Sequence, residues 1–194
     1  IEHVASLRII PGLDVIRPAD ANETAQAWAQ VLAHTDRPSA LILSRQDLPI
    51  IDRDAPGVAP ASELAKGAYT LLDADGELKV VLIATGSEVQ VAVAARDLLQ
   101  AKGIGTRVVS APCLEWFDAQ PAEYRASVLP EAAAKVAIEA GVPYGWRDYV
   151  GATGEIVGID HFGESAAGDR LFAKYGFTAE NVVAKAETAL SRLG

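Results

Sequence analysis

The chain has 194 residues, half of them hydrophobic, and its 26 acidic side chains outnumber 17 basic ones to leave a formal charge of −9. A chain of this length can bury one good core or two smaller ones, and an acidic balance with no Lys/Arg cluster speaks against nucleic acid as a partner. No apolar run approaches the roughly 20 residues of a membrane helix and no signal-peptide pattern opens the chain, so no membrane partner and a cytoplasmic location are expected. The single Cys113 excludes an internal disulfide and a cysteine-based zinc site, and reads as a small packed residue. The chain opens on Ile1 and contains no Met, from which a piece of a longer protein is expected.

In chain order, apolar residues at Ile1, Val4, Ala5 and Leu7 predict a short helix that Pro11-Gly12 ends, followed by a strand over Leu13 to Ile16. Asp20 and Glu23 stand at capping-box spacing. The helix they open carries Ala25, Trp28, Val31 and Leu32 at helical intervals, which predicts a core role for Trp28. A strand over Ser39 to Ser44 then completes a parallel βαβ crossover and ends in Arg45.

From Leu48 to Ala61 the pattern gives way to Pro49, Pro56, Gly57 and Pro60 around Asp52-Arg53-Asp54, which reads as a linker. Strands over Ala68 to Leu72 and Leu78 to Ala84 flank Asp73-Ala74-Asp75-Gly76, a hairpin signal. The second strand passes through Thr85-Gly86-Ser87 into a helix that Gly103 can end. Further strands are predicted over 106–110, 135–139 and 155–159, and helices over 122–129, 146–150, 165–174 and 178–193. The alternation predicts a doubly wound, mostly parallel α/β unit.

Arg45 is the strongest lead to chemistry. A guanidinium at the carboxyl end of a strand lies where open α/β sheets bind ligands, and its planar fork suits phosphate; a surface salt bridge explains the same position. Thr85-Gly86-Ser87 offers free amides at a helix N-terminus but is too short for a dinucleotide or P-loop motif, and an ordinary turn capped by Ser87 is the favoured reading. Asp160, His161 and Glu164 share a strand end and read either as an acid/base cluster or, preferentially, as hydrogen-bonded surface groups. His3 and His34 lack ligand partners and are expected to be solvated.

Several blocks in order resemble transketolase: P-A-D-A-N-E-T-A-Q-A-W at Pro18 to Trp28, A-L-I-L-S-R-Q-D-L-P at Ala40 to Pro49, L-I-A-T-G-S-E-V at Leu82 to Val89, R-V-V-S at Arg107 to Ser110, Y-R-A-S-V-L-P at Tyr124 to Pro130, F-G-E-S-A at Phe162 to Ala166 and Y-G-F-T-A-E-N-V-V at Tyr175 to Val183. The resemblance implies residues 1–48 as the end of a parallel α/β pyrimidine-binding domain, 49–64 as a linker and 65–194 as the C-terminal α/β domain. It implies thiamine diphosphate-dependent transfer of a two-carbon ketol unit between sugar phosphates in the pentose phosphate pathway, with Mg2+ or Ca2+ holding the cofactor and a homodimer as the assembly.

The family's diphosphate and metal motif, its cofactor-activating glutamate and a His-x-Pro segment that contacts the sugar have no counterpart in this sequence. No catalytic, cofactor or metal residue is therefore assigned here, and the chain alone is expected to bind no cofactor and to be inactive. The resemblance carries one site residue over, Arg45, as the group that holds the substrate phosphate. Two positions depart from the family pattern: Asp47 where asparagine is common, and Ala167 where proline usually follows F-G-x-S-A. A non-catalytic α/β dimerisation or regulatory module is the alternative, and a nucleotide-binding protein resting on Gly86-Ser87 is a third reading.

Overall fold

The computed structural model describes residues 1–193. Its first part contains α1 (His3–Arg8), β1 (Asp14–Ile16), α2 (Ala21–Ala33) and β2 (Ser39–Leu41). β1 and β2 pair in parallel, Asp14 opposite Ser39 and Ile16 opposite Leu41, with α2 as the crossover. The Asp20 side chain accepts from the Glu23 N–H at 2.8 Å, while Glu23 reaches past the cap to accept from the Ala19 N–H at 2.7 Å. The first bond satisfies an amide that the start of a helix leaves without an intrahelical partner, and the second fastens the chain that enters the cap.

Two expectations fail in this part. Trp28 is 51% exposed and Leu32 73%, because α2 turns Glu23 and Ala27 inward instead. The expected strand to Ser44 stops at Leu41, and Leu43 is exposed. The Ile42 N–H still reaches the Ile16 carbonyl at 2.8 Å. Beyond it β1 has ended, so no ladder partner remains for the chain to follow.

The segment between the two units is pinned down along its length. Arg53 Nη1 donates to the Ala59 carbonyl at 3.1 Å and to the Tyr69 hydroxyl at 2.9 Å, and the Ile51 N–H donates to Asp20 at 3.0 Å. A 3₁₀ segment, Ala61–Lys66, then packs against α2.

Five strands form the second sheet: β3 (Tyr69–Leu72), β4 (Val80–Ala84), β5 (Thr106–Ser110), β6 (Ala134–Ile138) and β7 (Glu155–Val157), in spatial order β3-β5-β4-β6-β7. All pairings are parallel except β3 with β5. The expected hairpin is thus absent: β5 lies between β3 and β4. The helices are α3 (Val89–Ala101), α4 (Leu114–Asp118), α5 (Ala122–Val128), α6 (Arg147–Val150), α7 (Gly168–Lys174) and α8 (Ala179–Ser191). α4 and the 3₁₀ segment have no sequence forecast, and α7 begins three residues later than expected.

Strand alternation builds two layers of core. Val80, Leu82 and Ala84 face α3 and α8 through Ala92, Ala95, Leu99, Val182 and Ala186. Val81 and Ile83 face α4, α5 and α6 through Phe117, Val128, Trp146 and Val150. Ile16, Ala19 and Ala27 of the first part join the former layer, so one core spans both parts.

Candidate functional site

The central strand β4 pairs with β5 on one side and β6 on the other, which puts a topological switch point at its carboxyl end, at Ala84 to Gly86. The first part fills this crevice. The Arg17 N–H donates to the Pro112 carbonyl at 2.8 Å, and the Gly86 N–H donates to the Arg17 carbonyl at 3.0 Å. Arg17 Nη1 then donates to Thr85 Oγ1 at 2.5 Å and to Glu88 Oε2 at 2.8 Å, and lies 3.2 Å from Glu139 Oε2. Gly86, at φ +54°, is required here: a Cβ would come within 3.1 Å of the guanidinium.

Glu139 is the hub of this cluster. Arg8 grips it bidentately, at 2.7 Å to each oxygen, Thr85 donates to it at 2.6 Å and Trp146 Nε1 at 3.2 Å. Burial alone would raise its pKa, but the Arg8 hydrogen bonds and charge, the Arg17 charge and the Thr85 hydroxyl outweigh it and hold the pKa at about 2. Sequence reasoning missed all four charged residues, Arg8, Arg17, Glu88 and Glu139. The available signal was position, since Arg17 and Glu139 each directly follow a strand.

Arg45 lies four residues beyond β2 and is exposed. Among the described residues no side-chain hydrogen bond or ion pair engages its guanidinium, in contrast to Arg8, Arg17 and Arg53. The loop that carries it runs into the second unit. A cavity of about 180 Å³ brings Gln46 and Asp47 together with Ser87 and Gln90 at the start of α3 and with Gly168 and Phe172 of α7. Three separate stretches noted in the sequence, the S-R-Q block, the Gly86-Ser87 turn and the residues after F-G-E-S-A, therefore converge at Gln46 and Asp47.

The remaining candidates disperse. Glu164 is held by Lys174 at 2.5 Å and 2.6 Å, while His161 turns its Nδ1 to the Phe162 carbonyl at 2.8 Å and its ring edge to Tyr175. His161, Phe162, Glu164 and Lys174 are exposed and Tyr175 is half-buried, as hydrogen-bonded surface residues would be. His3 is exposed, whereas His34 is half-buried with its ring edge-on to Trp116 at 4.9 Å between centroids, which corrects its expected solvation. Cys113 is buried, and that burial, together with Glu115 beside it, pushes the thiol pKa up, leaving an inert packed residue.

Residues 67–178 match the family model of the transketolase-like C-terminal domain, and residues 1–50 match that of the transketolase pyrimidine-binding domain. The chain belongs to the transketolase family. It is 57% identical to a transketolase of Mycobacterium tuberculosis, covering 98% of this chain and 28% of that relative. Among solved structures, a Pichia stipitis transketolase in complex with sedoheptulose 7-phosphate superposes with a TM-score of 0.89 at 34% identity, covering 99% of this chain and 27% of that one. A split-gene transketolase solved as an inactive β4 tetramer superposes with a TM-score of 0.76 at 25% identity, covering 97% of this chain and 61% of that one. The chain thus spans little more than a quarter of the curated relative's length.

At the Gly86 turn the described residues do not fit thiamine diphosphate or its metal. Among the described residues no group of three or more His, Cys, Asp or Glu side chains could hold a metal ion. The Gly86 turn, whose amides suit a diphosphate, is covered by Arg17 and flanked by the buried carboxylates of Glu88 and Glu139.

Proposed function

We propose that this chain forms one wall of a transketolase active site, in which Arg45 binds the phosphate of a sugar phosphate during transfer of a two-carbon ketol unit. The observation that carries this reading is the exposed guanidinium in the loop after β2, without a side-chain partner among the described residues, within an S-R-Q block of a chain 57% identical to a transketolase. A guanidinium without a protein counter-charge keeps its full hydrogen-bonding fork for an anion. Binding energy from the remote phosphate aligns the reacting carbonyl. Thiamine diphosphate, held by Mg2+ or Ca2+, supplies the carbon-carbon bond chemistry when bound, and in this reading the rest of the enzyme holds it.

In this reading residues 1–48 close a pyrimidine-binding domain, 49–64 link it to the C-terminal domain at 65–194, and the working assembly is a cytoplasmic homodimer of the complete enzyme. The apolar surface of the first part, with Ile9, Trp28, Leu32 and Ile50 all exposed, supports its covering by further transketolase structure. The split-gene relative, whose β4 tetramer is inactive, supports inactivity of the isolated chain. The test is a ketol-transfer assay with thiamine diphosphate and Mg2+ on this chain alone and on a full-length transketolase that contains it. Turnover of sugar phosphates by the full-length enzyme and none by the chain is expected; turnover by the chain alone would contradict the reading.

A further inference from the structure

The lysines of the chain divide unevenly. Lys66, Lys79, Lys102, Lys174 and Lys185 are each paired with a glutamate, and their side chains are 39–57% exposed. Lys135 is half-buried, and no carboxylate among the described residues lies within ion-pair distance of it. Its Nζ donates to the Ala133 carbonyl at 3.2 Å, a neutral acceptor that supplies no counter-charge. Strand alternation explains the placement: Ala134, Val136 and Ile138 of β6 face α3 and α8, so Lys135 emerges on the other face, beside α5 and α6. A cavity of about 610 Å³ opens there, lined by Lys135 with Asp118, Arg125, Glu131, Asp148 and Tyr149, and its size suits a small metabolite. Asp118 is taken by the Tyr149 hydroxyl at 2.7 Å. Arg125 is exposed, and among the described residues its guanidinium has no hydrogen bond or ion pair. Burial lowers the pKa of the Lys135 amine against the opposing charge of Glu131, whereas the hydrogen bond from Glu164 raises that of Lys174.

We propose that Lys135 is a site of covalent acylation by small acyl phosphates, with Arg125 holding the phosphate of the donor in the same cavity. The site lies at the amino end of β6, the edge of the sheet opposite the Arg17 clamp, and it is independent of the reading of Arg45. The free amine attacks the acyl carbon, the bond from that carbon to the bridging oxygen breaks, phosphate leaves, and one amine proton passes through solvent to the phosphate. A planar guanidinium donates two parallel hydrogen bonds to a phosphate, which favours both the approach of the donor and the departure of the leaving group. A lysine without an ion pair gives up its proton at the least cost. Conversion of Lys135 to a neutral amide also breaks no salt bridge.

The test treats a full-length transketolase containing this chain with acetyl phosphate at mildly alkaline pH, and reads the initial acetylation rate of each lysine by peptide mass spectrometry. Lys135 is expected to react about threefold to tenfold faster than any of the five paired lysines. Since those five are the more exposed, accessibility alone would give the reverse order. Arg125→Gln, which removes an exposed group with no partner, should slow acetylation of Lys135 by acetyl phosphate at least about threefold. The same variant should leave unchanged its acetylation by the N-hydroxysuccinimide ester of acetic acid, a donor without phosphate. A rate at Lys135 no greater than at the paired lysines would overturn the site. Preferential acetylation that ignores Arg125→Gln, or that falls equally for both donors, would overturn the recognition of an acyl phosphate.

Discussion

Two buried glutamates sit where the first part meets the second sheet, and they are treated in opposite ways. Glu139 receives two guanidinium groups and a hydroxyl, and its pKa drops to about 2. Glu23 receives hydroxyl groups from Tyr69 and Ser110, each at 2.6 Å, and the Ala19 N–H, with Arg53 no closer than 3.7 Å. There burial wins, over the hydrogen bonds from Ser110, Tyr69 and Ala19 and the Arg53 charge, and the pKa is raised. Neutral donors satisfy a buried carboxylate's lone pairs, but close cations are needed to offset the loss of water around its charge. The Glu139 cluster is therefore an ionic clamp between the units, and the Glu23 cluster a hydrogen-bonded packing contact.

The largest expected effect follows from removing the charge at the clamp. Glu139→Gln takes from the half-buried Arg8 its ion-pair partner and leaves the buried Arg17 with Glu88 alone, which should cost about 3–5 kcal/mol in denaturant unfolding. Glu23→Gln keeps a carbonyl for one set of donors and turns an amide toward the other, an expected cost of about 1–3 kcal/mol. A loss at Glu23 as large as that at Glu139 would remove the distinction between the two seams.

Their pH signatures should differ in sign. Glu139 is depressed in the folded state, so its contribution is complete above the unfolded value of 4.5 and is lost as pH falls toward about 2. Glu23 is raised, so its contribution is complete below 4.5 and declines as pH climbs through the folded value. Stability of each Gln variant minus that of the unsubstituted protein, followed from pH 3 upward, should slope in opposite directions; parallel slopes would contradict the assignment.

The smallest expected effect lies at the third meeting point of the units. Ala167, the family-pattern departure, caps α7 at φ −61°, the value proline fixes. Ala167→Pro should stabilise by about 0.4–1 kcal/mol through the unfolded chain. Destabilisation in thermal melts would show that the chain before α7 is not pre-shaped for proline.

Much of this fold is legible in the sequence where short-range physics decides it. β4 is an apolar five-residue run, β5 and β6 carry Val108, Val109, Val136 and Ile138, Asp20 is a cap at its expected place, and Gly103 at φ +75° follows α3 where a left-handed stop was expected. Long-range pairing was not legible. Nothing near Asp73 to Gly76 reveals that β5, a later strand, takes the place beside β3 that a hairpin would give to β4. Trp28 misled because hydrophobic spacing assumes the apolar stripe faces inward, whereas Tyr69 and Ser110 recruit Glu23 and turn the helix the other way. Arg45 could be picked out as a cation following a strand, although β2 stops four residues before it. The residues beside its neighbour Gln46, Ser87 and Gly168, lie far along the chain and meet that loop only through tertiary packing.

The most direct measurement compares kcat/KM for a sugar phosphate with that for the same sugar without phosphate, in a full-length transketolase carrying Arg45→Ala. Loss of at least about tenfold on the phosphorylated sugar, equivalent to about 1.4 kcal/mol of binding, with the unphosphorylated sugar unaffected, is the expected result. Equal losses on both sugars, or none on either, would contradict the assignment of Arg45 to the substrate phosphate.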